Sequence, residues 1–454
     1  MKRCLLPIVG LAWAMVLAEP VPRPALAKRL ANGPDVIGIV HWGLNTFTDR
    51  EWGYGDENPA LLNPSDFNAN QIVGACKAGG LGGLVVVAKH HDGFCLWPTK
   101  TTAHNISAAP FRGGKGDYVK EMADACRRAG LKFGVYCSPW DRNAADYGRP
   151  SYVEKYHAQV RELLDGRYGE VFEMWFDGAN GGDGYYGGAN EKRKIPYGYY
   201  RFDGVFAFVR KLQPNICIFA DEEDGSDFRW PGNEEGILDP DSRATCDGAF
   251  GRGAKGYANP GYAAQICSGS PTGTFFRVCE ADFPLRKGWF FHEKERGSTK
   301  SAAYLMKCYL RTVGNGGTMN VGIALDRRGR LADEDVAALA AFGKIRSRFF
   351  ARPVESGVAN VVVLREDCAK GERITGWRIA AGGRVLASGT VVGLKRIRVL
   401  DAPTALADLR IEAEGGELAS MAYYHVDSGL LELVRRATTA DGETDTARWM
   451  KESR

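Results

Sequence analysis

The feature that most constrains the fold is a regular alternation of short apolar strands with amphipathic helices between residues 28 and 350. Such an alternation produces a parallel sheet with helices on its faces. The sequence therefore predicts an α/β fold, as either a (β/α)8-like TIM barrel or an open doubly wound sheet. The predicted strands cover residues 36–40, 84–88, 132–136, 170–176 and 215–220, and the predicted helices cover residues 67–78, 117–129, 151–163, 202–212, 298–313 and 333–349.

The open-sheet alternative lacks its usual cofactor signature, because no GxGxxG follows the first predicted strand. Within the helix that opens at Ser151, Glu154 lies three residues later and predicts a capping box. Residues 178–200 are rich in glycine and tyrosine and are predicted to form a long loop after a strand.

The C-terminal part of the chain has a different pattern. Residues 354–427 alternate apolar and polar positions between glycine-rich turns such as Gly382-Gly383. This pattern predicts a small all-β sandwich domain after the α/β domain of residues 28–350. Residues 430–454 are polar and charged and are predicted to form a tail.

The N-terminus resembles an export signal. Lys2 and Arg3 precede an apolar stretch, and Val16-Leu17-Ala18 is a small-residue cleavage pattern. We therefore expect residues 1–18 to be a signal peptide and the protein to be exported, either periplasmic or secreted. The apolar stretch is short for a bilayer span and no later segment is longer, so we expect no stable membrane insertion after cleavage.

Charge and cysteine spacing argue against several functional classes. The net charge is +4 over 454 residues without a basic run, which gives no reason to expect nucleic acid as a partner. The 11 cysteines contain no CxxC pair, so neither a zinc ribbon nor a thioredoxin motif is supported. Many of the cysteines lie in apolar surroundings, which is typical of small buried residues.

Polar and aromatic residues follow one predicted strand after another. In a parallel barrel the C-terminal ends of the strands carry the chemistry, so these residues are expected to form an active-site rim. Carboxylates combined with histidine and tryptophan suit glycoside cleavage, which needs one carboxyl to attack or activate water and another to protonate the leaving oxygen. The strand ends are His41-Trp42, Lys89 to Asp92, Cys137 to Asp141, Asp177-Gly178 and Asp221 to Glu223.

Eight separated motifs, in order, resemble glycoside hydrolase family 29, the α-L-fucosidases. The resemblance covers residues 30–350. The motifs are HWGLNTFTDREWG (41–53), KHHDGF (89–94), LWPTKTTAH (96–104), YCSPWDRN (136–143), WFDG (175–178), RWPGNE (229–234), EADFPLRKGWFFH (280–292) and NGGTMNVGIALDRRG (315–329).

The resemblance implies a TIM barrel followed by a β-sandwich. It implies an exo-acting retaining hydrolase that releases terminal α-L-fucose from fucosylated oligosaccharides or glycoconjugates, without a metal or an organic cofactor. The TFTDREWG, SPWDRN and GNE forms are similar to the subfamily that acts on α-1,3- and α-1,4-linked fucose.

The resemblance also assigns the two catalytic carboxyls. Asp177 in WFDG falls on the family nucleophile, and Glu234 in RWPGNE falls on the general acid/base. Pro231 departs from the aliphatic residue expected before Gly232. Glu222, Glu223, Glu235 and Glu280 remain alternatives for the acid/base.

Further motif positions are predicted to line the sugar pocket. His41, His90 and His91 match histidines that hydrogen-bond fucose hydroxyls, and Glu51 with Trp52 matches a pair lining the same pocket. Since neighbouring residues of a regular strand face opposite sides, the strand must end before His90 and His91 if both are to reach one ligand. Trp140 and Trp289 are expected to be apolar walls for the fucose methyl group. Arg286 could bridge a carboxylate and the sugar, or form a structural salt bridge.

One departure and two alternatives remain. We expect an insertion relative to the family around Gly181 to Lys194, on the leaving-group side. A related exo-glycosidase such as an α-L-galactosidase would need a polar environment at C6 in place of an apolar one. A non-catalytic carbohydrate-binding protein would have no need of Asp177 or Glu234.

Overall fold

The computed structural model describes residues 20–220, 225–247 and 266–438. Eight parallel strands close a barrel in chain order, and β8 pairs with β1 to complete it. The strands are β1 (Val36–His41), β2 (Gly83–Lys89), β3 (Lys132–Cys137), β4 (Glu173–Phe176), β5 (Cys217–Ala220), β6 (Phe228–Arg229), β7 (Val278–Pro284) and β8 (Thr318–Ala324). The predicted TIM barrel is therefore confirmed.

Helices cover the outside of the barrel, and α8 closes the ring by packing against α3 and α7. The α-helices of the described residues before the C-terminal domain are α1 (Pro24–Asn32), α2 (Leu44–Thr48), α3 (Ala69–Ala78), α4 (Tyr118–Ala129), α5 (Pro150–Leu164), α6 (Phe202–Leu212), α7 (Ala302–Thr312) and α8 (Asp333–Phe349). Short 3-10 turns lie at Pro59–Leu61, Ile106–Ala108, Phe111–Gly114, Tyr186–Gly188, Glu293–Glu295 and Cys368–Lys370.

Local sequence explains most element boundaries. In α4, the Asp117 side chain accepts a hydrogen bond from the Lys120 amide at 2.9 Å, and Gly130 ends the helix with φ of +73°. The predicted capping box at Ser151 is wrong, because α5 begins one residue earlier, at Pro150. Proline at the first helical position sets the helical φ by its ring and needs no partner for an amide hydrogen.

A charged cluster fills the N-terminal end of the barrel. Helix α1 lies there and buries Arg29, whose guanidinium pairs with Glu173 on β4 and reaches Glu280 on β7 at 3.5 Å. The same guanidinium stacks on Phe172 and Phe228. This end of the barrel is therefore closed by a paired charge and aromatic rings.

The C-terminal domain is a sandwich of two three-stranded antiparallel sheets, in the orders β12–β9–β14 and β11–β10–β13. Apolar residues of both sheets, including Val362 and Trp377, pack into one core, and the opposite face of β9 joins the core of the barrel helices through Val361 and Val363. The predicted β-sandwich is thereby confirmed. Its strands are β9 (Val358–Glu366), β10 (Gly376–Ala381), β11 (Arg384–Gly389), β12 (Arg396–Ala405), β13 (Arg410–Glu414) and β14 (Leu418–Tyr424).

Three segments contain strands or a helix that the sequence did not predict. Residues 178–200 contain a short hairpin of Gly182–Gly184 and Glu191–Arg193. A second short pair joins Thr245–Cys246 to Phe275–Phe276. The region predicted as a tail begins inside a helix, α9 (Ser428–Arg436), which packs on α7.

Other expectations concern the ends of the chain, the thiols and membrane spans. The predicted signal peptide and residues 439–454 lie outside the described residues. The cysteines within the described ranges are free thiols, and all of them except Cys267 are buried. No helix in the described part of the chain is long and apolar enough to cross a bilayer.

Candidate active site

Side chains that follow successive barrel strands meet at the C-terminal end of the barrel. Strand β2 ends at Lys89, with a register shift against β3 between Val87 and Lys89. His90 and His91 therefore lie beyond the strand, and both rings turn to the same side, with their centroids 4.2 Å apart. The condition set by the sequence, that the strand must end there, is met.

Asp177 follows β4 and is held at both oxygens. Its Oδ2 accepts a hydrogen bond from the Tyr136 hydroxyl at 2.8 Å, and its Oδ1 accepts one from the Ala179 amide at 2.7 Å. His91 Nε2 lies 3.8 Å from Oδ2. The side chain remains 24% exposed, so this fixed carboxylate is open to a ligand.

The phenol beside Asp177 remains a donor over the whole physiological range. Burial, and secondly the negative charge of Asp177, raise the pKa of Tyr136 well above its usual value. Tyr136 on β3 is therefore a further site residue. The sequence contained a signal for it, because it is the first residue of the YCSPWDRN motif.

The three predicted histidines lie together and are neutral. Burial lowers the pKa of His41 to about 3 and that of His91 to about 4, and it lowers the pKa of His90 well below the usual value. Neutral imidazoles can both donate to and accept from sugar hydroxyls. The rings of His41 and His90 are 5.7 Å apart, which extends the row formed by His90 and His91.

The tautomer of His91 follows from its neighbours. The Ser138 hydroxyl donates to the Trp140 carbonyl oxygen at 2.9 Å and lies 2.7 Å from His91 Nδ1. Because the single hydroxyl proton is already used, Nδ1–H donates to Ser138. The Nε2 lone pair then points towards Asp177 and the open pocket, where it can accept a hydrogen bond.

Aromatic rings form the walls of the pocket. Trp140 lies 5.1 Å from His91 and 5.6 Å from Trp52, centroid to centroid. Trp289 lies 5.1 Å from His41 on the other side. Phe290, which the sequence analysis did not single out, packs edge-on against His41 and His90 at 5.3 and 5.0 Å.

Glu234 lies in the loop after β6 and reaches the same pocket. Its Oε2 accepts a hydrogen bond from the Trp289 indole nitrogen at 3.2 Å, and the residue is half-buried. Of the alternatives, Glu235 is exposed, and Glu280 lies inside the barrel, where it accepts from the Trp175 indole at 3.1 Å. Glu222 and Glu223 lie outside the described residues.

Glu51 joins the pocket from the loop after β1. Its carboxylate accepts hydrogen bonds from the backbone amides of Trp289 and Phe290, and from His292 Nε2 at 2.9 Å. His292 Nδ1 also bonds to Asp49 at 2.9 Å. Glu51 thus fixes the loop that carries Trp289.

His292 differs from the other site histidines because it is charged. Burial opposes the imidazolium, yet the hydrogen bonds to Glu51 and Asp49 raise the pKa of His292 to about 9. His292 is the last residue of the EADFPLRKGWFFH motif, but its role could not be predicted from the sequence. Its partners come from a segment more than 240 residues away, so spacing alone could not identify it.

Arg286 takes the second of the two arrangements that the sequence allowed. Its buried guanidinium donates to Asp335 at 2.9 Å and to Glu334 at 2.6 Å, both on α8, and to the Glu295 carbonyl oxygen. These contacts form a structural salt bridge, and no contact with the pocket carboxylates is among them. The described residues also contain no cluster of three or more His, Cys, Asp or Glu side chains that could hold a metal ion.

The arrangement suits cleavage of a glycosidic bond. A fixed, open carboxylate and a half-buried carboxyl belong to one pocket lined by neutral imidazoles and aromatic walls. Two carboxyls in one sugar-sized pocket are the groups that glycosidases of both stereochemical types use.

Comparisons with known proteins agree with this chemistry. A family model described as "Alpha-L-fucosidase" matches residues 31–232. Alpha-L-fucosidase 1 of Arabidopsis thaliana is 38% identical over 315 residues, which are 69% of this chain and 58% of that protein. This chain therefore spans less than two thirds of the length of that curated relative.

Solved structures extend the similarity to the C-terminal domain. A glycoside hydrolase 29 family member from an unknown rumen bacterium is 33% identical, with a TM-score of 0.83 over 90% of this chain and 78% of that chain. A Ruminococcus gnavus GH29 fucosidase in complex with fucose shares the fold, with a TM-score of 0.77 at 22% identity over 92% of this chain and 97% of that chain.

Proposed function

Because this chain belongs to glycoside hydrolase family 29, the α-L-fucosidase family, we propose that it releases terminal α-L-fucose from glycans with retention of configuration. The observation that carries the proposal is the pairing of two carboxyls in one pocket. Asp177 is held by Tyr136, and Glu234 by Trp289, whose ring also packs on His41.

In the first step, Asp177 attacks C1 of fucose while Glu234 protonates the departing glycosidic oxygen. This gives a covalent fucosyl-enzyme and the free leaving group. In the second step, Glu234 takes a proton from water, which attacks C1 and releases Asp177. Double displacement of this kind requires the two carboxyls to lie about 5 Å apart, whereas inversion requires about 6.5–9.5 Å.

The neutral histidines are suited to hold the sugar. His41, His90 and His91 have lost their charge through burial and can bond hydroxyl groups without attracting anions. Trp289 and Phe290 present an apolar surface beside His41, which favours the C6 methyl of fucose over the hydroxymethyl of L-galactose.

For the leaving-group side, we propose a preference for α-1,3- and α-1,4-linked fucose. The support is the resemblance of the TFTDREWG, SPWDRN and GNE segments to that subfamily. The hairpin of residues 182–193 borders this side, since Trp140 donates to the Tyr186 hydroxyl at 3.0 Å. Arg142 fastens the same hairpin by donating to the Asp183 carbonyl at 2.8 Å.

Release of L-fucose from three substrates tests the proposal. We expect the wild type to act mainly on a Lewis-type trisaccharide, in preference to 2'-fucosyllactose and 4-nitrophenyl α-L-fucoside. Asp177→Ala should abolish release. Glu234→Ala should lower kcat by about 10²–10⁴-fold on the trisaccharide, and azide should restore turnover of the activated aryl fucoside. Glu235→Ala is the matched control, because its exposed neighbouring carboxyl should be dispensable.

The outcomes separate the alternatives. Equal release from all three substrates would keep the activity and discard the linkage preference. Faster release of L-galactose from its aryl glycoside would favour the α-L-galactosidase. A folded wild type that binds fucose but releases none would instead be a carbohydrate-binding protein.

We also propose that the protein is exported, to the periplasm or the medium. The support is the sequence pattern of residues 1–18 alone. N-terminal sequencing of the protein recovered from periplasmic and culture fractions would locate the cleavage. Recovery only from the cytosol with Met1 or Lys2 at the N-terminus would reject export.

A further inference from the structure

A further carboxyl group, that of Asp282, lies inside the barrel, one inward-facing layer before Gly322, the residue of β8 on which the Trp289 ring packs. Asp282 is in β7, next but one to Glu280, and is only 4% exposed. Side chains alternate along a strand, and Glu280 points inward to Trp175, so Asp282 also points inward. Its register partner on β8 is Asn320, which points inward too, because it bonds to Glu280 at 3.0 Å.

Within the described residues, no cation forms an ion pair with this carboxyl. Arg229, on the neighbouring strand β6, turns its guanidinium to the backbone carbonyls of Arg243, Ile266 and Arg277. Arg29 is engaged with Glu173 and Glu280 at the other end of the barrel.

The largest charges that act on Asp282 are negative, and a hydrogen bond from its own backbone amide opposes them only in part. In decreasing order they are those of Glu234, Glu280 and Asp177, which come from the loop after β6, from the same strand and from the end of β4. An ionised Asp282 would therefore be a buried anion facing three other carboxyl groups. Such an arrangement is unfavourable, because burial removes the hydration of the anion and no opposite charge replaces it.

Two buried oxygen atoms point to the same conclusion. Asp282 Oδ1 and Asn320 Oδ1 both lack a hydrogen-bond partner among the described residues, and their residues are side by side on adjacent strands. If Asp282 is ionised, both atoms are acceptors and neither can satisfy the other. If Asp282 carries a proton, its O–H becomes a donor for the acceptors around it.

We propose that Asp282 is a third carboxyl of the active site, kept as the neutral acid, and that it positions Glu234 as a hydrogen-bonding neighbour. The proposal rests on the function proposed above. Burial, followed by the charge of Glu234, raises the pKa of Asp282 well above its usual value. A neutral Asp282 adds no negative charge beside Asp177, and it lets Glu234 lose its proton in the first step without facing another anion.

Infrared difference spectroscopy tests the protonation state without any substrate. The spectrum of the wild type minus that of Asp282→Asn at pH 7 should show the carbonyl band of a neutral carboxylic acid. The appearance of carboxylate bands in its place would overturn the proposal. If the wild type releases no fucose, the proposed function fails, and the infrared result still decides the state of Asp282.

Kinetics test the positioning role. Asp282→Leu should lower kcat at least tenfold with little change in KM, and Asp282→Asn, which keeps a donor, should recover at least a third of the wild-type kcat. In the pH profile of kcat/KM, the acidic and the alkaline limb of Asp282→Asn should lie at the same pH as those of the wild type. If Asp282 were ionised, Asp282→Asn would remove a negative charge and move the limbs to lower pH. Circular dichroism and thermal melts would establish that both variants fold, and a Leu variant with wild-type kcat would rule out positioning.

Discussion

At the scale of single residues, the site is set by which groups burial keeps neutral. Tyr136, His41, His90 and His91 are all buried, and the pKa of each is shifted so that the uncharged form prevails at neutral pH. Asp177 is partly open and receives two donated hydrogen bonds. A carboxylate in a pocket of neutral donors and acceptors can serve as a nucleophile without a competing ion pair.

We expect the Tyr136 hydroxyl to contribute measurably to kcat. Tyr136→Phe removes one of the two donors to Asp177 and keeps the ring that stacks on Trp175. We expect kcat to fall about 10–100-fold, because a donor to a charged group in a dry site contributes a few kcal/mol. KM should change little. Steady-state kinetics on the Lewis-type trisaccharide, which separate kcat from KM, provide the measurement.

Tyr156→Phe is the matched control for this prediction. The Tyr156 hydroxyl, on α5, donates its hydrogen bond to the Cys137 carbonyl oxygen and not to Asp177. Its loss should affect stability and leave kcat within about twofold of the wild type. Equal losses of kcat in the two variants would mean that the Tyr136 hydroxyl has no specific role.

At the scale of elements, the loop after β7 brings an apolar wall and a charged pair into the site together. Trp289 and Phe290 are attached through their amides to Glu51, and Glu51 is paired with His292. A Cβ at Gly288 would lie 2.6 Å from Glu51 Oε2, so a larger residue there would displace the Glu51 carboxylate from these amides. The orientation of Trp289, which donates to Glu234, therefore depends on the charge of His292.

The charge of His292 predicts a loss of stability at alkaline pH. Its pKa rises from 6.5 in the unfolded chain to about 9 in the folded protein, so the folded state binds more protons between these values. The contribution of His292 is complete below pH 6.5 and is lost as pH rises through about 9. Thermal melts from pH 6 to 10 would follow this loss.

His292→Gln should start with a lower melting temperature at pH 6 and should lack this part of the alkaline decline. His425→Gln, an exposed change in the C-terminal domain, should keep the slope of the wild type. Parallel curves for His292→Gln and the wild type would contradict the assignment of the ion pair.

At the scale of the whole molecule, the two ends of the barrel have different tasks. The C-terminal end carries the site, and the N-terminal end is closed by α1, whose Arg29 holds Glu173 and Glu280. The β-sandwich supports the segment that follows Glu234. Arg398 donates to the Pro240 carbonyl at 2.9 Å, and Glu372 accepts from the Ala244 amide at 2.8 Å.

Removal of the cation at the N-terminal end should destabilise the whole barrel. Arg29→Ala leaves the buried Glu173 and Glu280 without the cation that pairs with them, which typically costs about 3–5 kcal/mol. Urea unfolding would measure this loss, and activity of the folded fraction should be retained. The double variant Arg29→Ala/Glu173→Gln should recover part of the lost free energy of unfolding, because one buried acid has been removed. A single variant within about 0.5 kcal/mol of the wild type would contradict this role of Arg29.

How far the sequence predicts each strand depends on what the strand buries. Strands β1 to β5 were predicted because their residues are mostly apolar. Strands β6, β7 and β8 were not predicted. Strand β7 contains Glu280 and Asp282 on its inward face, so its pattern lacks the continuous apolar run of a buried parallel strand. Glu280 is tolerated there because Trp175, Asn320 and Arg29, from other elements, bond to its carboxylate.

The sequence by itself determined the parallel α/β sheet and the sandwich through their patterns, and the barrel through the resemblance of its motifs to a family. It also placed most pocket residues at strand ends, because strand ends are local features and the chemistry of a parallel barrel gathers at them. Tertiary structure alone decided which groups meet. It assigned Arg286 to α8, joined Glu51 to His292, placed Tyr136 on Asp177 and brought Asp282 inside the barrel. These contacts join residues distant in sequence, and burial, which sets their protonation, exists only once the barrel has closed.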